Sequence, residues 1–200
     1  MALVTVRPTA TDVAIANAIA AHTNQPTEKT AEVLTWGADE HILIALIAAW
    51  WLGMRRQPLR RRRAADHLLL TTLVASAVPH LLKTIFDQER PDRLTVRGHW
   101  RGVPLSGNRL DAFPSGHAVH VGALASAASQ LPRRERNAVW LIGAGVVVTR
   151  IVLLAHWTSD VMAGLAIGAL VERGLRRLTG YGRDPAKRLR REHAAVSRLD

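Results

Sequence analysis

Long apolar stretches separated by short polar or basic segments make up most of this 200-residue chain. Residues 36–54, 64–86, 138–155 and 157–175 are close to the roughly 20 residues that cross a bilayer as a helix. Residues 117–131 are fewer, and with them we predict five membrane spans. Ahead of them, residues 12–21 place Val13, Ala16 and Ile19 on one stripe, which predicts a short amphipathic helix. The pattern therefore predicts an all-α integral membrane helical bundle of about five transmembrane helices plus an N-terminal amphipathic helix.

The domain organisation follows from the same pattern. We predict one membrane domain over residues 1–180, in which residues 1–35 form an N-terminal segment, and a basic tail over residues 181–200. The apolar stripe at residues 12–21 is equally compatible with a helix that packs on the bundle and one that lies at the membrane interface.

Positive charge is distributed unevenly along the chain, whose formal net charge is +11. Arginine clusters follow the first predicted span (55–63), the third (133–136) and the fifth (173–191), so all three fall on one side of a five-span bundle. The positive-inside rule makes that side cytoplasmic, together with the C-terminus, and predicts a multi-pass protein of the cell (inner) membrane. A soluble helical bundle, the alternative at 22% charged residues, has no reason to sort its arginines in this way.

Nucleic-acid binding is not expected in spite of the charge, because one Tyr and two Phe supply few rings on which bases could stack. Anionic membrane lipids are the partners that basic connections of this kind contact.

Ionisable residues interrupt the apolar pattern at one predicted face. The stretch TRIVLLAHWTSD (149–160) contains Arg150, His156 and Asp160. The predicted topology brings this stretch, on the extracytoplasmic side, to the same face as Lys83, Arg90, Ser115 and His117. Charged groups in an apolar setting need partners or a function. Lys83, Arg90 and Arg150 together would bind a phosphate group, since arginine supplies a planar fork and lysine a compact charge.

The two histidines suggest a division of roles. His156 and Asp160 are four residues apart, so a helix would bring their side chains together and the carboxylate would orient the imidazole as a nucleophile. His117 can protonate a leaving oxygen. In FPSGH (113–117), Ser115 and Gly116 precede a predicted helix whose free N–H groups would hold phosphate oxygens. A metal site built from His117, His120, His156 and Asp160 is the rival, but three nearby cations oppose it, so we expect no metal and no cofactor.

KTIFDQERP (83–91), PSGH (114–117) and TRIVLLAHWTSD (149–160) together resemble the three signature motifs of the type 2 phosphatidic acid phosphatase (PAP2) superfamily. The resemblance implies a membrane helical bundle that removes phosphate without a metal, through a phosphohistidine. It makes His156 the nucleophile, Asp160 its orienting partner and His117 the acid. The phosphate-binding residues would be Lys83, Arg90, Ser115, Gly116 and Arg150. Thr149 departs from the serine usual in the third motif but keeps a hydroxyl, and residues 12–21 replace the first span of a six-span relative.

The expected substrate is a lipid phosphate: a polyprenyl phosphate or diphosphate, phosphatidic acid, phosphatidylglycerol phosphate or a lipid A phosphate. The sequence does not distinguish among them, and it does not determine the oligomeric state. Two alternatives stay open, a non-enzymatic anion-binding or transport membrane protein and a vanadium haloperoxidase-like enzyme.

Overall fold

The computed structural model describes residues 3–36, 39–91 and 110–182. Within these ranges we number seven α-helices: α1 Ala10–His22, α2 Gln25–Trp36, α3 Glu40–Gly53, α4 Leu59–Ile85, α5 Gly116–Ala128, α6 Arg133–Val152 and α7 Thr158–Thr179. A 3₁₀ turn at Met54–Arg56 joins α3 to α4. Two short strands, β1 Val4–Thr5 and β2 Phe86–Asp87, pair in parallel and attach the N-terminus to the end of α4.

Helices α5 and α7 form the centre of the bundle and lie side by side in the same direction. Glycines let their backbones approach closely: a Cβ on Gly168 would lie 2.0 Å from the carbonyl oxygen of Val119, and one on Gly122 would lie 2.2 Å from that of Leu165. Small residues at regular spacing are the usual device for such contacts between membrane helices. Because the two helices pack this tightly, their N-termini are held at one end of the bundle, where the Ser115 N–H donates to the Asp160 carbonyl at 3.4 Å.

A buried polar cluster joins α4, α5 and α7 at the opposite end, where the arginine clusters begin. Glu172 is fully buried and accepts from Ser126 at 2.6 Å, from Arg176 Nε at 2.8 Å and from His67 at 3.0 Å. His67 also bonds Thr179 at 2.9 Å. The cluster satisfies a buried carboxylate with several donors, which such a group requires to be stable inside a bundle.

The amphipathic helix predicted at residues 12–21 is present as α1, and it packs on the bundle. Its Ala16 is 4% exposed and belongs to a buried cluster with Leu154 and Trp157. Asp12 of α1 accepts hydrogen bonds from the backbone N–H and the hydroxyl of Ser159, at 2.9 and 2.8 Å. The following helix α2, which the sequence pattern did not predict, packs on α6, where Thr35 bonds Thr149 at 2.6 Å.

Two stretches among the described residues are long and apolar enough to cross a membrane, Gln25–Arg56 and Leu59–Ile85. The first stretch contains the predicted span 36–54, and the second overlaps the predicted span 64–86. The other three predicted spans correspond to α5, α6 and α7, of which α5 has only 13 residues and ends at Ala128 rather than at residue 131. Helix α6 begins with the five charged or polar residues RRERN, which lowers its mean hydropathy. The all-α bundle is confirmed; the number of spans stays a prediction.

Two predicted regions lie wholly or mostly outside the described residues. The basic tail predicted at residues 181–200 is described only to residue 182, and the centre of the polar loop between α4 and α5, residues 92–109, is not described. The domain boundaries that we predicted accordingly stay predictions.

Candidate active site

The fold gathers the predicted site residues at the end of the bundle opposite the arginine clusters. Each lies at a helix terminus or in an adjoining connection, as follows: Lys83 in the last turn of α4, Arg90 after β2, Ser115, Gly116 and His117 at the start of α5, Arg150 in the last turn of α6, His156 in the connection to α7, and Asp160 in the first turn of α7. Because these termini face the same end, three motifs that are distant in sequence form one site.

Asp111 connects two of the three cations. Arg90 donates to Asp111 Oδ1 from Nε at 2.9 Å and from Nη2 at 2.6 Å. Lys83 Nζ lies 3.4 Å from Asp111 Oδ2. Arg90 also donates from Nη1 to the Ala155 carbonyl at 3.2 Å, next to His156. A charge-assisted fork of this kind restricts the guanidinium to one orientation.

His156 is held by a backbone carbonyl. Its Nδ1 lies 2.7 Å from the carbonyl oxygen of Ala112, and the side chain is 4% exposed. A carbonyl only accepts hydrogen bonds, so Nδ1 carries the proton and the lone pair of the neutral ring lies on Nε2. Burial lowers the pKa of His156 well below its usual value, and the positive charges of Arg150, Arg90 and Lys83 lower it further. The ring is therefore neutral at neutral pH, the form required of a nucleophile.

Asp160 lies near His156 without the hydrogen bond that we expected. Its Oδ2 is 4.0 Å from His156 Nδ1, and the same oxygen accepts from the Trp157 N–H at 2.9 Å. Asp160 thus caps the first turn of α7, where helices leave N–H groups free. The expected geometry differs because residues 153–157 are not helical, so the four-residue spacing does not bring the two side chains into direct contact. The role of Asp160 as orienting partner stays a prediction.

The connection from α6 to α7 turns sharply before His156. Leu154 has φ of 52°, in the left-handed region, although its side chain is 1% exposed. The turn directs the N–H groups of Ala155 and His156 back to the Arg150 carbonyl, at 3.1 and 3.3 Å. A non-glycine residue in this region costs about 1–2 kcal/mol, which the burial of Leu154 offsets.

Several polar groups of the site have no hydrogen-bond partner among the described residues. They include the buried Ser115 hydroxyl, His117 Nε2 and Arg150 Nε. Ser115 occupies the N-cap position of α5, but its hydroxyl makes no capping bond. Buried polar groups without partners are uncommon in proteins and often mark a functional position. These three groups are of the kind that hold and protonate phosphate oxygens.

Packing against the described residues does not require glycine at position 116. A Cβ at this position would meet only Pro79 of α4, at 3.9 Å, which is an ordinary contact. Packing among the described residues therefore does not explain a glycine here, and the phosphate-binding role of Gly116 stays a prediction.

Sequence reasoning missed Asp111, Ala112 and Asp12. Asp111 and Ala112 lie after residues 92–109 and outside the three motifs, and their contacts depend on the backbone pairing of Gln88 with residues 110–112, at 3.0 and 3.1 Å. Ala112 acts through its carbonyl, so its side chain leaves no signal in the sequence. For Asp12 the sequence offered the Thr9–Asp12 spacing of a helix capping box, but nothing in the sequence indicated its contact with Ser159.

His120 is separate from the predicted phosphate site. Its Nε2 bonds the hydroxyl of Ser76 in α4 at 3.2 Å and lies 3.9 Å from Glu40 of α3, so it lines a helix interface. Among the described residues, no group of three or more His, Cys, Asp or Glu side chains is arranged to hold a metal ion.

Comparison with known proteins assigns the family. The sequence model of the PAP2 superfamily matches residues 64–183, and the chain belongs to this superfamily. The resemblance seen in the three motifs is thereby confirmed. The chain is also similar to lipid A 1-phosphatases of Rhizobium johnstonii, 36% identical over 104 residues, and Rhizobium etli, 36% identical over 103 residues. These matches cover 52% and 51% of this chain but 43% and 44% of the relatives, so the chain matches less than half the length of either.

Two solved structures share the fold. Aquifex aeolicus LpxE superposes with a TM-score of 0.61 at 16% identity, over 84% of this chain and 96% of that one. A transmembrane PAP2 type phosphatidylglycerolphosphate phosphatase from Bacillus subtilis gives a TM-score of 0.58 at 20% identity, over 84% of each chain. At these identities the likeness concerns the helical architecture.

Proposed function

We propose that this protein is a metal-independent lipid phosphatase in which His156 forms a phosphohistidine. The observation that carries the proposal is the bond between His156 Nδ1 and the Ala112 carbonyl, 2.7 Å, in a site that also contains Lys83, Arg90 and Arg150. This arrangement supplies a neutral nucleophilic ring next to a cationic site for the phosphate oxygens. Membership of the PAP2 superfamily and the phosphatase relatives support the same conclusion.

The reaction has two steps. His156 Nε2 attacks phosphorus, a nitrogen–phosphorus bond forms, and the bond from phosphorus to the lipid oxygen breaks while His117 donates a proton to that oxygen. Water then attacks the phosphohistidine, His117 accepts a proton from the water, and inorganic phosphate leaves. The cations stabilise charge on the non-bridging oxygens, which is the main means by which proteins accelerate phosphoryl transfer. Ser115 and the first N–H groups of α5 hold the same oxygens.

The substrate that we place first is a phosphorylated glycolipid of the lipid A type, because both similar relatives are named lipid A 1-phosphatases. Polyprenyl phosphates, phosphatidic acid and phosphatidylglycerol phosphate are the other members of the same class. We place the site at the extracytoplasmic face of the inner membrane, with the arginine clusters on the cytoplasmic side.

The test is phosphate release by purified protein from these four lipid types, with and without EDTA. We expect release from at least one lipid, unchanged by the chelator, and loss of release in His156→Ala. A matched control is His22→Ala, because the exposed His22 makes a similar bond from Nδ1 to a backbone carbonyl, Ala18, at 2.8 Å. Labelling with ³²P-lipid should trap acid-labile radioactivity on the wild type and on His22→Ala only. Full release by His156→Ala would refute the proposal.

A further inference from the structure

An apolar groove continues from the candidate active site into the bundle. It runs between α5 and α6, with Leu34 of α2 and Leu43 of α3 beside it, and its volume is about 550 Å³. Pockets that bind small molecules measure about 300–1,000 Å³, so the groove is large enough for part of a lipid.

The polarity of the groove changes along its length. At the end near the active site its lining includes His117 and His120, and further along it consists of Leu, Val, Ile and Gly residues. His117 thus belongs to both the site and the groove, and its Nε2 has no partner among the described residues. A molecule that fits such a lining has a polar head at His117 and a hydrocarbon chain below it.

The length of the groove matches part of one membrane leaflet. Along α5 the lining extends from His117 to Leu124, and along antiparallel α6 from Val146 to Val139. At 1.5 Å per residue, seven residues correspond to about 10 Å. One hydrocarbon leaflet is about 15 Å thick, so a chain in the groove would lie at the depth that lipid chains occupy. The rim residues Leu141 and Ile142 are exposed by 76% and 68%, which gives the groove an apolar lateral edge.

Two glycines of α6 differ in what an added side chain would meet among the described residues. A Cβ on Gly143 would lie 2.7 Å from Val121 Cγ1, so this glycine allows α5 and α6 to approach. A Cβ on Gly145, two residues further, would meet no atom within 4 Å, although Gly145 lines the groove. Gly143 therefore serves packing, whereas Gly145 leaves room for an occupant.

We propose that this groove binds a hydrocarbon chain of the lipid whose phosphate occupies the site at His117, and that Gly145 determines whether the chain can enter. The inference rests on the proposed function, since it deepens the description of the same site. In this proposal, the groove between α5 and α6 selects lipid phosphates over water-soluble phosphates.

The experiment replaces Gly145 by leucine, because a Cβ at this groove-lining position meets no atom of the described residues within 4 Å and the longer side chain would occupy the groove. The matched control is Gly174→Leu in α7, where a Cβ also meets no atom within 4 Å and the residue does not line the groove. Both substitutions remove a helical glycine and favour the helix to the same extent. Equal or higher thermal stability of both variants in detergent will show that they fold.

Binding is measured with hexadecyl phosphate that carries a diazirine on its chain, by photolabelling and peptide mapping. We expect labels on α5 and α6 within residues 117–124 and 139–146, at least tenfold weaker labelling of Gly145→Leu, and wild-type labelling of Gly174→Leu. The corresponding hexadecanol probe, without phosphate, should label these residues at least tenfold less. The expected factor corresponds to loss of contact with only two or three methylene groups.

Labels elsewhere in the chain, or equal labelling of Gly145→Leu and wild type, would overturn the inference. His156→Ala separates this result from the proposed function, because the variant should keep the label while it loses phosphate release. If no lipid phosphate is hydrolysed by the wild type but the groove is labelled as expected, the proposed reaction fails and the groove assignment stands.

Discussion

Asp12 connects the N-terminal helix to the beginning of α7, and its replacement tests whether α1 supports the catalytic end of the bundle. The carboxylate is 3% exposed and accepts four hydrogen bonds. Two come from Thr9 in the capping box of α1, and two come from Ser159, which directly precedes Asp160. Burial alone would raise the pKa of Asp12, but these bonds outweigh burial and lower the pKa below its usual value. The charged form is thus the one that the fold stabilises.

The magnitude follows from the two kinds of contact. Loss of the helix cap costs about 1 kcal/mol. Each bond to a charged acceptor contributes roughly 1.5–3 kcal/mol. The substitution also removes the free-energy cost of burying a carboxylate, and this gain offsets part of the loss. We expect Asp12→Ala to lower the free energy of unfolding by about 2–4 kcal/mol, or Tm by roughly 4–16 °C for a chain of this size. Thr9→Ala, which keeps the Ser159 bonds, should cost only about 1 kcal/mol.

The assay is thermal unfolding in detergent, combined with steady-state phosphate release. A double-mutant cycle of Asp12→Asn with Ser159→Ala should show a coupling energy of about 1–2 kcal/mol. We also expect Asp12→Asn to lower kcat more than it raises KM, because the first turn of α7 moves relative to His156 while Lys83 and Arg90 stay in place.

Two results would refute this reasoning. If Asp12→Ala is no less stable than Thr9→Ala, the contact with Ser159 contributes nothing beyond the cap. If the coupling energy is near zero, α1 does not hold α7. The pH dependence gives a further check: because the pKa of Asp12 is lowered on folding, its stabilisation is present above about pH 4 and is lost as the pH falls through the lowered value. Asp12→Asn should abolish that part of the acid destabilisation.

Three further predictions concern the site and the core. Gly116→Ala should unfold at the wild-type temperature but release phosphate at least tenfold more slowly. The added Cβ makes only ordinary contacts with the described residues, so it should crowd the bound phosphate rather than the protein. A parallel loss of stability would contradict this prediction. Glu172→Leu should lower the free energy of unfolding by about 3–5 kcal/mol in chemical denaturation, because it leaves His67 and Arg176 without their buried partner; a change below 1 kcal/mol would count against the cluster. The acid limb of kcat/KM should lie below the ordinary pKa of histidine, about 6.5, since burial and the nearby cations lower the pKa of His156 and keep the ring neutral as the pH falls; an acid limb at or above that ordinary value would show that the ring is not so perturbed.

The helices could be predicted from the sequence because apolar periodicity is a local property. The amphipathic segment at residues 12–21 and the apolar stretches appear as helices close to their predicted bounds, and α2 was missed because its sequence QPTEKTAEVLTW lacks a long apolar stripe. The short α5 was harder to delimit, since alanine and glycine suit both a long span and a short, tightly packed helix.

The motif residues could be selected from the sequence because phosphate chemistry requires particular side chains at particular spacings; their roles stay predictions. Lys83, Arg90 and Arg150 supply charge and His117 and His156 supply imidazoles, and none of these types has an equivalent in an apolar helix. The pairing of His156 with Asp160 was expected from helical spacing, and the structure differs there because the chain turns at Leu154 instead of continuing as a helix.

By itself, the sequence determined which residues could carry out the chemistry and which segments form helices, because both depend on residue type and local pattern. The tertiary structure alone decided which groups hold them: the Ala112 carbonyl for His156, Asp111 for two cations, Asp12 for the start of α7, and the open space at Gly145. These contacts join residues that are 21 to 147 positions apart or use backbone atoms. They depend on how closely packed helices bring their ends together, and no local pattern in the chain encodes that distance.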